Sequence, residues 1–186
     1  MYASGAPLPW DRGGPRPELV EWAILRGVAG EGRSALVVGS GLGDDAEFVA
    51  ALGFTTTAFD FAPTAVSMAR VRHPGSFVTY EVADVLAPPA AWTGAFDLVV
   101  ESFTVQALPP ADHARAIASV AGFVAPGGAL VVIASAADEP PRSGPPFPLT
   151  RAEVESFGFA PERIERVAGG ELWRADLTRA GRRAPP

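Results

Sequence analysis

After Pro17 the apolar side chains of ELVEWAILRGV return at helical spacing, with Leu19, Trp22 and Ala23 at i, i+3 and i+4 and Ile24 and Leu25 widening the stripe. SALVVG, Ser34 to Gly39, is instead an unbroken apolar run ending in glycine, as expected of a strand covered on both faces. DDAEFVAALG from Asp44 then predicts a helix with acidic residues in its first turn and a stop at Gly53. The alternation recurs in TTTAFDF (55–61) and APTAVSMARVR (62–72), then in SFVTYEVAD and, after a Pro/Ala loop, FDLVVESF (96–103). ADHARAIASVAGFV (111–124) predicts a helix closed by Pro126, Gly127 and Gly128, and ALVVIAS a buried strand after it. TRAEVESFG reads as a short helix. ERIERV and ELWRADLTR alternate and join at Gly169 and Gly170, which predicts a hairpin.

Apolar strands separated by helices specify an α/β fold. The expected architecture is a Rossmann-like, doubly wound sheet of seven mostly parallel strands with helices on both faces and one antiparallel strand near the C-terminus. No internal period repeats, so 1–186 reads as one domain, with 1–17 as an arm or lid, 18–180 as the core and 181–186 as a tail.

Composition narrows the chemistry. Of 186 residues 48% are hydrophobic and 19% charged, which excludes a disordered chain, and 15 basic against 21 acidic groups give a net charge of −6, which disfavours nucleic acid. The chain has no Cys, Lys or Asn. Disulfides, thiolate nucleophiles, Schiff-base or P-loop lysines and Asn-dependent amide recognition therefore drop out. No run reaches the roughly 18 apolar residues of a membrane span and the N-terminus lacks a signal pattern, so a cytoplasmic protein without membrane partners is expected.

In an open parallel sheet, ligands bind beyond the carboxyl ends of the strands. The first strand ends in Gly39-Ser40-Gly41-Leu42-Gly43, where glycines at alternate positions let the backbone turn sharply and approach a ligand. Asp60 ends the second strand, 21 residues after Gly39, where a carboxylate can accept both hydroxyls of a ribose. Asp44 and Asp45 stand where a dinucleotide site would present a bare helix N-terminus to a pyrophosphate, and they would repel it. The expected ligand carries adenosine but no phosphate, which fits S-adenosylmethionine and not NAD, FAD or ATP.

With these residues assembled, the chain resembles the class I S-adenosylmethionine-dependent methyltransferases over nearly its whole length. LVVGSGLG looks like the family's first motif, AFDFAP like its second-strand acid, VADV like the adenine-contacting turn, FDLVVESF like the fourth strand and APGGALVVI like the fifth. The resemblance implies that Gly39, Gly41 and Gly43 line the amino-acid end of the cofactor, that Asp60 binds the ribose and that Phe61 flanks the adenine. It further implies that Asp84 accepts from the adenine amino group, Val85 supplies a backbone donor and Glu101 lies near the methionine part. PWDRGGPRPEL resembles the opening of small-molecule methyltransferases acting on thiols, halides, thiopurines or tellurite, a segment that folds over the cofactor. Trp10 would then wall the sulfonium and Arg12 clamp the cofactor carboxylate.

The implied reaction is in-line methyl transfer to a small acceptor (thiol, halide, chalcogen oxyanion or hydroxyl), releasing S-adenosylhomocysteine. The alternative is a non-catalytic S-adenosylmethionine-binding sensor or partner subunit. Glu101 is the one candidate general base, although an amine contact suits it better, and Ser102, Phe103, Thr104 and Gln106 would line the acceptor side, together with Arg12. Asp97 reads as structural. His113, in the first turn of its helix, reads as solvated, and His73 as a loop residue, neither with carboxylate and hydroxyl partners. No His/Asp/Glu spacing suggests a metal. The protein is expected to act as a monomer or homodimer.

Overall fold

The computed structural model describes residues 11–141 and 143–181. Five parallel strands form the body of the sheet: β1 (Ser34–Val38), β2 (Thr55–Asp60), β3 (Thr79–Val82), β4 (Phe96–Ser102) and β5 (Val124–Ala137). A two-residue β6 (Leu149–Thr150) pairs with the end of β5, and β7 (Ala160–Val167) and β8 (Leu172–Thr178) complete the order β3-β2-β1-β4-β5-β8-β7. β8 is antiparallel to both β5 and β7, so it alone runs against the sheet. The seven-strand path and its single reversed strand match the sequence reading.

Among the described residues five α-helices cover the two faces: α1 (Pro17–Arg26), α2 (Asp44–Ala51), α3 (Pro63–Arg72), α4 (Pro110–Phe123) and α5 (Arg151–Glu155). Proline near the first position starts α1, α3 and α4, where a missing N–H costs nothing and the fixed φ suits the helix. Thr150 and Glu153 close a reciprocal capping box on α5.

Alternation along β1 sorts the core. Ala35 and Val37 pack with Leu19 and Trp22 of α1, Val49 of α2 and Val66 of α3, while Leu36 and Val38 pack with Ile117, Val120 and Phe123 of α4. On the α4 face Trp92 meets Phe59, Phe96 and Phe123 at ring-centroid distances of 5.0, 6.2 and 6.0 Å. At the amino end of the sheet the Asp97 carboxylate accepts from both the backbone N–H and the hydroxyl of Ser34, each at 2.9 Å, which pins β1 to β4 and bears out its structural reading.

Two boundaries differ from the sequence pattern. α4 ends at Phe123, and Val124 already pairs with Phe96; the Pro126–Gly128 stretch is an irregularity inside β5 that lets the strand rejoin β4 at Ala129. Arg174 and Asp176, on the polar side of β8, do not face water. They are buried under α1, Arg174 bonding Glu21 (2.7 Å) and Glu165 (2.8 Å) and Asp176 pairing with Arg26 (2.8 Å). Among the described residues no helix is long and apolar enough to cross a membrane.

Candidate functional site

β1, β2 and β4 end side by side, and the loop from Gly39 to Gly43 crosses their tips on its way into α2. Its three glycines all have positive φ, at 68°, 51° and 93°, which explains their identity through the backbone alone. Their surroundings separate them. A Cβ on Gly39 would run into the side chain of Thr104, and one on Gly43 into the phenol of Tyr80, whereas around Gly41 there is open space. Protein packing therefore excludes side chains at Gly39 and Gly43; only Gly41 leaves room for something that is not protein.

Asp60 braces this loop from the neighbouring strand. One carboxylate oxygen accepts from the Gly41 N–H at 3.0 Å and the other from the Ala62 N–H at 2.9 Å, leaving each oxygen a second lone pair toward the open side. Phe61 follows with 74% of its surface exposed. At the tip of β3 the Asp84 carboxylate accepts from the Leu86 N–H at 2.8 Å, and the Val85 side chain is buried in the α4-side core.

On the other flank Glu101 is fully buried opposite Val38, the last residue of β1. Its Oε1 accepts from the N–H groups of Thr104 (2.8 Å) and Val105 (2.9 Å), but Oε2 is buried with no partner among the described residues, as is the Ser40 hydroxyl of the glycine loop. Burial pushes the Glu101 carboxyl up to about 7 against the pull of those two N–H groups and of the His113 charge. A half-satisfied carboxylate here is poised to receive a donor or a cation.

The residues following Glu101 divide. Phe103 adopts φ +60°, an uncommon conformation for a bulky residue, and its ring carries the Arg16 guanidinium 4.0 Å from its centre. The Thr104 hydroxyl, however, donates to the Val38 carbonyl (2.9 Å), and the Gln106 amide clamps Ser135 of β5 through the Ser135 N–H at 2.6 Å and its hydroxyl at 3.3 Å. These two side chains face protein rather than an acceptor. The Ser102 hydroxyl is turned to Asp45.

Sequence reasoning overlooked Arg16, and it read Asp45 only as a guard against phosphate, not as the partner of the segment before α1. The Arg16 N–H donates to Asp45 Oδ1 at 2.7 Å, so the segment before α1 is laced to the first turn of α2. Burial lowers the Arg16 pKa, the positive charge of Arg12 adds to that, and the charges of Asp45 and Glu18 oppose it. Burial likewise raises Asp45 despite its bond from Arg16. Asp11 pairs with Arg72 (3.1 Å), which also pairs with Asp44 (3.2 Å), and tethers the same segment to the end of α3. Arg12 is exposed, and Trp10 lies outside the described residues. The available signal was PRPEL: an arginine locked between prolines ahead of a helix cannot follow the helix and has to point elsewhere.

His113 corrects a second reading. It is 2% exposed rather than solvated, and it has the carboxylate partner that spacing did not reveal: Nδ1 lies 2.7 Å from Glu153 Oε1 and Nε2 lies 3.1 Å from the Leu108 carbonyl. The Thr150 hydroxyl donates to the other Glu153 oxygen at 2.8 Å. His73 bonds the Leu42 carbonyl at 3.1 Å and sits 3.5 Å from Asp44.

At the opposite end of the sheet a cavity of about 330 Å³ opens between Trp22, Arg33, Asp97 and Asp176. Its charges are answered by protein, Arg33 by the Ala29 carbonyl at 2.6 Å and Asp97 by Ser34. Of the buried polar atoms without a partner among the described residues, Trp22 Nε1 belongs to a residue lining this cavity, whereas the Ser40 hydroxyl and Glu101 Oε2 lie at the carboxyl end.

A family model described as a methyltransferase domain matches residues 35–128, from β1 through the irregular start of β5. The chain is 27% identical over 169 residues to a 2-heptyl-1-hydroxyquinolin-4(1H)-one methyltransferase of Mycobacteroides abscessus, covering 89% of this chain and 73% of that protein. Among solved structures, a 1,6-didemethyltoxoflavin-N1-methyltransferase of Burkholderia thailandensis, with that substrate and S-adenosylhomocysteine bound, superposes with a TM-score of 0.68 at 19% identity. That match covers 89% of this chain and 77% of the other. A TehB-like methyltransferase of Corynebacterium glutamicum gives the same TM-score and identity over 87% and 86%. At these identities the two structures establish the fold.

Proposed function

We propose, from the premise that this chain belongs to the methyltransferase-domain family, that it transfers the methyl group of S-adenosylmethionine to a small-molecule acceptor. The observation that carries the reading is the pair of carboxylates, Asp60 and Glu101, flanking the open side of Gly41 at the ends of the two strands beside β1. The free lone pairs of Asp60 suit two ribose hydroxyls, and the unpartnered Glu101 Oε2 suits the cationic amino-acid end of the cofactor. Arg16, stacked on Phe103 with the charge of Arg12 nearby, takes over the carboxylate contact that the motif alone assigned to Arg12. Phe61 covers the adenine, Asp84 accepts from its amino group and the Val85 backbone donates; the sulfonium contact expected of Trp10 falls outside the described residues.

When bound, S-adenosylmethionine supplies a methyl carbon on a sulfonium, with a neutral thioether as leaving group. The residues of this chain fix that carbon and exclude water, so an acceptor held in line at about 3 to 3.5 Å needs little further catalysis. Thiols, halides and chalcogen oxyanions require no base. A hydroxyl acceptor would pass its proton to Glu101 or to a water held by it. The chain works as one domain, with 1–17 as the arm and 181–186 as the tail.

The test is a parallel acceptor screen with thiols, halides, chalcogen oxyanions and phenols, reading S-adenosylhomocysteine formation, beside calorimetry with S-adenosylhomocysteine and NAD. Binding of the first and not the second, with turnover of at least one class, is expected. Binding without turnover of any acceptor would favour a sensor, and equal affinity for NAD would overturn the cofactor assignment.

A further inference from the structure

Glu101 is held by a short turn, and that turn is itself held. The N–H groups of Thr104 and Val105 donate to Glu101; the Val105 carbonyl accepts from the Leu108 N–H at 3.0 Å; and the Leu108 carbonyl faces His113 Nε2 at 3.1 Å. The other nitrogen of His113 faces Glu153 at 2.7 Å. Both groups that face the ring, the Glu153 carboxylate and the Leu108 carbonyl, are acceptors. Glu153 remains ionised beside it: burial opposes this, but the Thr150 N–H and the bond to His113 outweigh burial and lower its pKa. Thr150 and α5 fix Glu153 through the capping box, and Phe147, whose N–H bonds the Gln106 carbonyl at 2.7 Å, sets its ring against the imidazole at 6.5 Å.

We propose that His113 is a positioning residue for the methyl-transfer site: its ring, clamped between Glu153 and the Leu108 carbonyl, holds the 104–108 turn against Glu101 and favours the carboxylate form of Glu101 over what burial alone would leave. The charged groups involved are Glu153 from α5 and Glu101 from β4; on α4 itself Asp112 and Arg115 pair with each other at 3.5 Å. The influence of the His113 charge on Glu101 has the direction required, favouring the carboxylate. The inference rests on the reading of Glu101 as the partner of the cofactor's cationic end, and its test is independent of that cofactor.

Carbon-13 NMR of the glutamate carboxyls in the free protein follows Glu101 directly, with Glu101→Gln assigning the resonance. His113→Gln keeps a donor for the Leu108 carbonyl and removes the charge; Glu153→Gln keeps an oxygen for the cap and removes the counter-ion. In both, the Glu101 midpoint is expected to move upward by about half a pH unit or more, while thermal unfolding remains cooperative. An unmoved midpoint in the folded variants would overturn the proposal, and if His113→Gln does not fold, Glu153→Gln decides alone. Calorimetry with S-adenosylhomocysteine is run beside it: no binding by the unaltered protein at any pH would refute the cofactor reading, while the NMR midpoints still judge His113.

Discussion

At the residue scale, the glycine loop separates two reasons for the same amino acid. Gly39 is forced by Thr104 and Gly43 by Tyr80, but Gly41 only by its φ and by the space beside it. Gly41→Ala should therefore cost about 1 to 2 kcal/mol of stability, the strain of a left-handed alanine, yet weaken S-adenosylhomocysteine binding by tenfold or more because a methyl group enters the ligand's space. Gly39→Ala should lose more stability than that. Unfolding titrations and calorimetry on both proteins check the contrast, which fails if Gly41→Ala binds normally. Asp60→Ala should weaken cofactor binding by about 1.5 to 3 kcal/mol in a folded protein, the scale of hydrogen bonds to a charge; unchanged affinity would remove Asp60 from the site. The spacing of Asp60 and Glu101 behind the glycines was legible because the ends of parallel strands converge wherever the motif falls. His113 was legible in part and misread: with Ala116, Ile117 and Val120 it sits on the apolar stripe of α4, so periodicity alone argued for burial. Its partner Glu153 is 40 residues away on an element that no local pattern ties to it.

At the element scale, β1, β4 and β5 followed from apolar runs covered on both faces, β3 and β7 only from shorter or alternating patterns at the sheet's edges, and α1 to α4 from a proline or acidic start. The start of β5 was missed because Pro126-Gly127-Gly128 is an ordinary helix stop, and only its pairing with β4 turns it into a kink within a strand. The segment ahead of α1 matters most for function. Asp11 reaches Arg72, and the Arg16 N–H reaches Asp45, so it lies across the start of α2 through polar contacts rather than through core. A chain starting at Glu18 should thus keep its fold but lose most methyl transfer if the proposed contact of Arg16 with the cofactor holds, because that contact and the cover over the site go with the segment. Circular dichroism with a turnover assay checks this; full activity in the shortened chain would leave the segment a mere tether. Trp92 tests the opposite face: surrounded by Phe59, Phe96 and Phe123, its replacement by alanine should cost about 3 to 5 kcal/mol in chemical denaturation without touching a ligand contact.

At the scale of the whole molecule, stability and ligand binding are linked through the buried Glu101. Its carboxyl is raised from 4.5 to about 7, burial being the main cause, so the folded protein holds this proton more tightly than the unfolded chain does. Stability from this group is complete below about pH 4.5 and is lost as pH rises through about 7; the loss amounts to roughly 3 kcal/mol at most, from a shift of about two and a half pH units. Asp45 and Asp176 are also raised by burial and add slopes of the same sign, so the contribution of Glu101 has to be isolated by difference. Glu101→Gln does this, because the amide oxygen still accepts from Thr104 and Val105 and carries no charge at any pH. Denaturation at pH 4, 5.5 and 7.5 should find the two proteins close at pH 4 and the unaltered one falling behind as the pH rises. Ligand affinity should run the other way: a cationic cofactor favours the carboxylate, so S-adenosylmethionine binding to the unaltered protein strengthens as pH rises through about 7, and in Glu101→Gln it is weak and flat. The same substitution thus stabilises the empty protein at alkaline pH and weakens the complex there. Parallel stability curves for the two proteins, or a pH-independent affinity in the unaltered one, would show that Glu101 carries no such charge coupling.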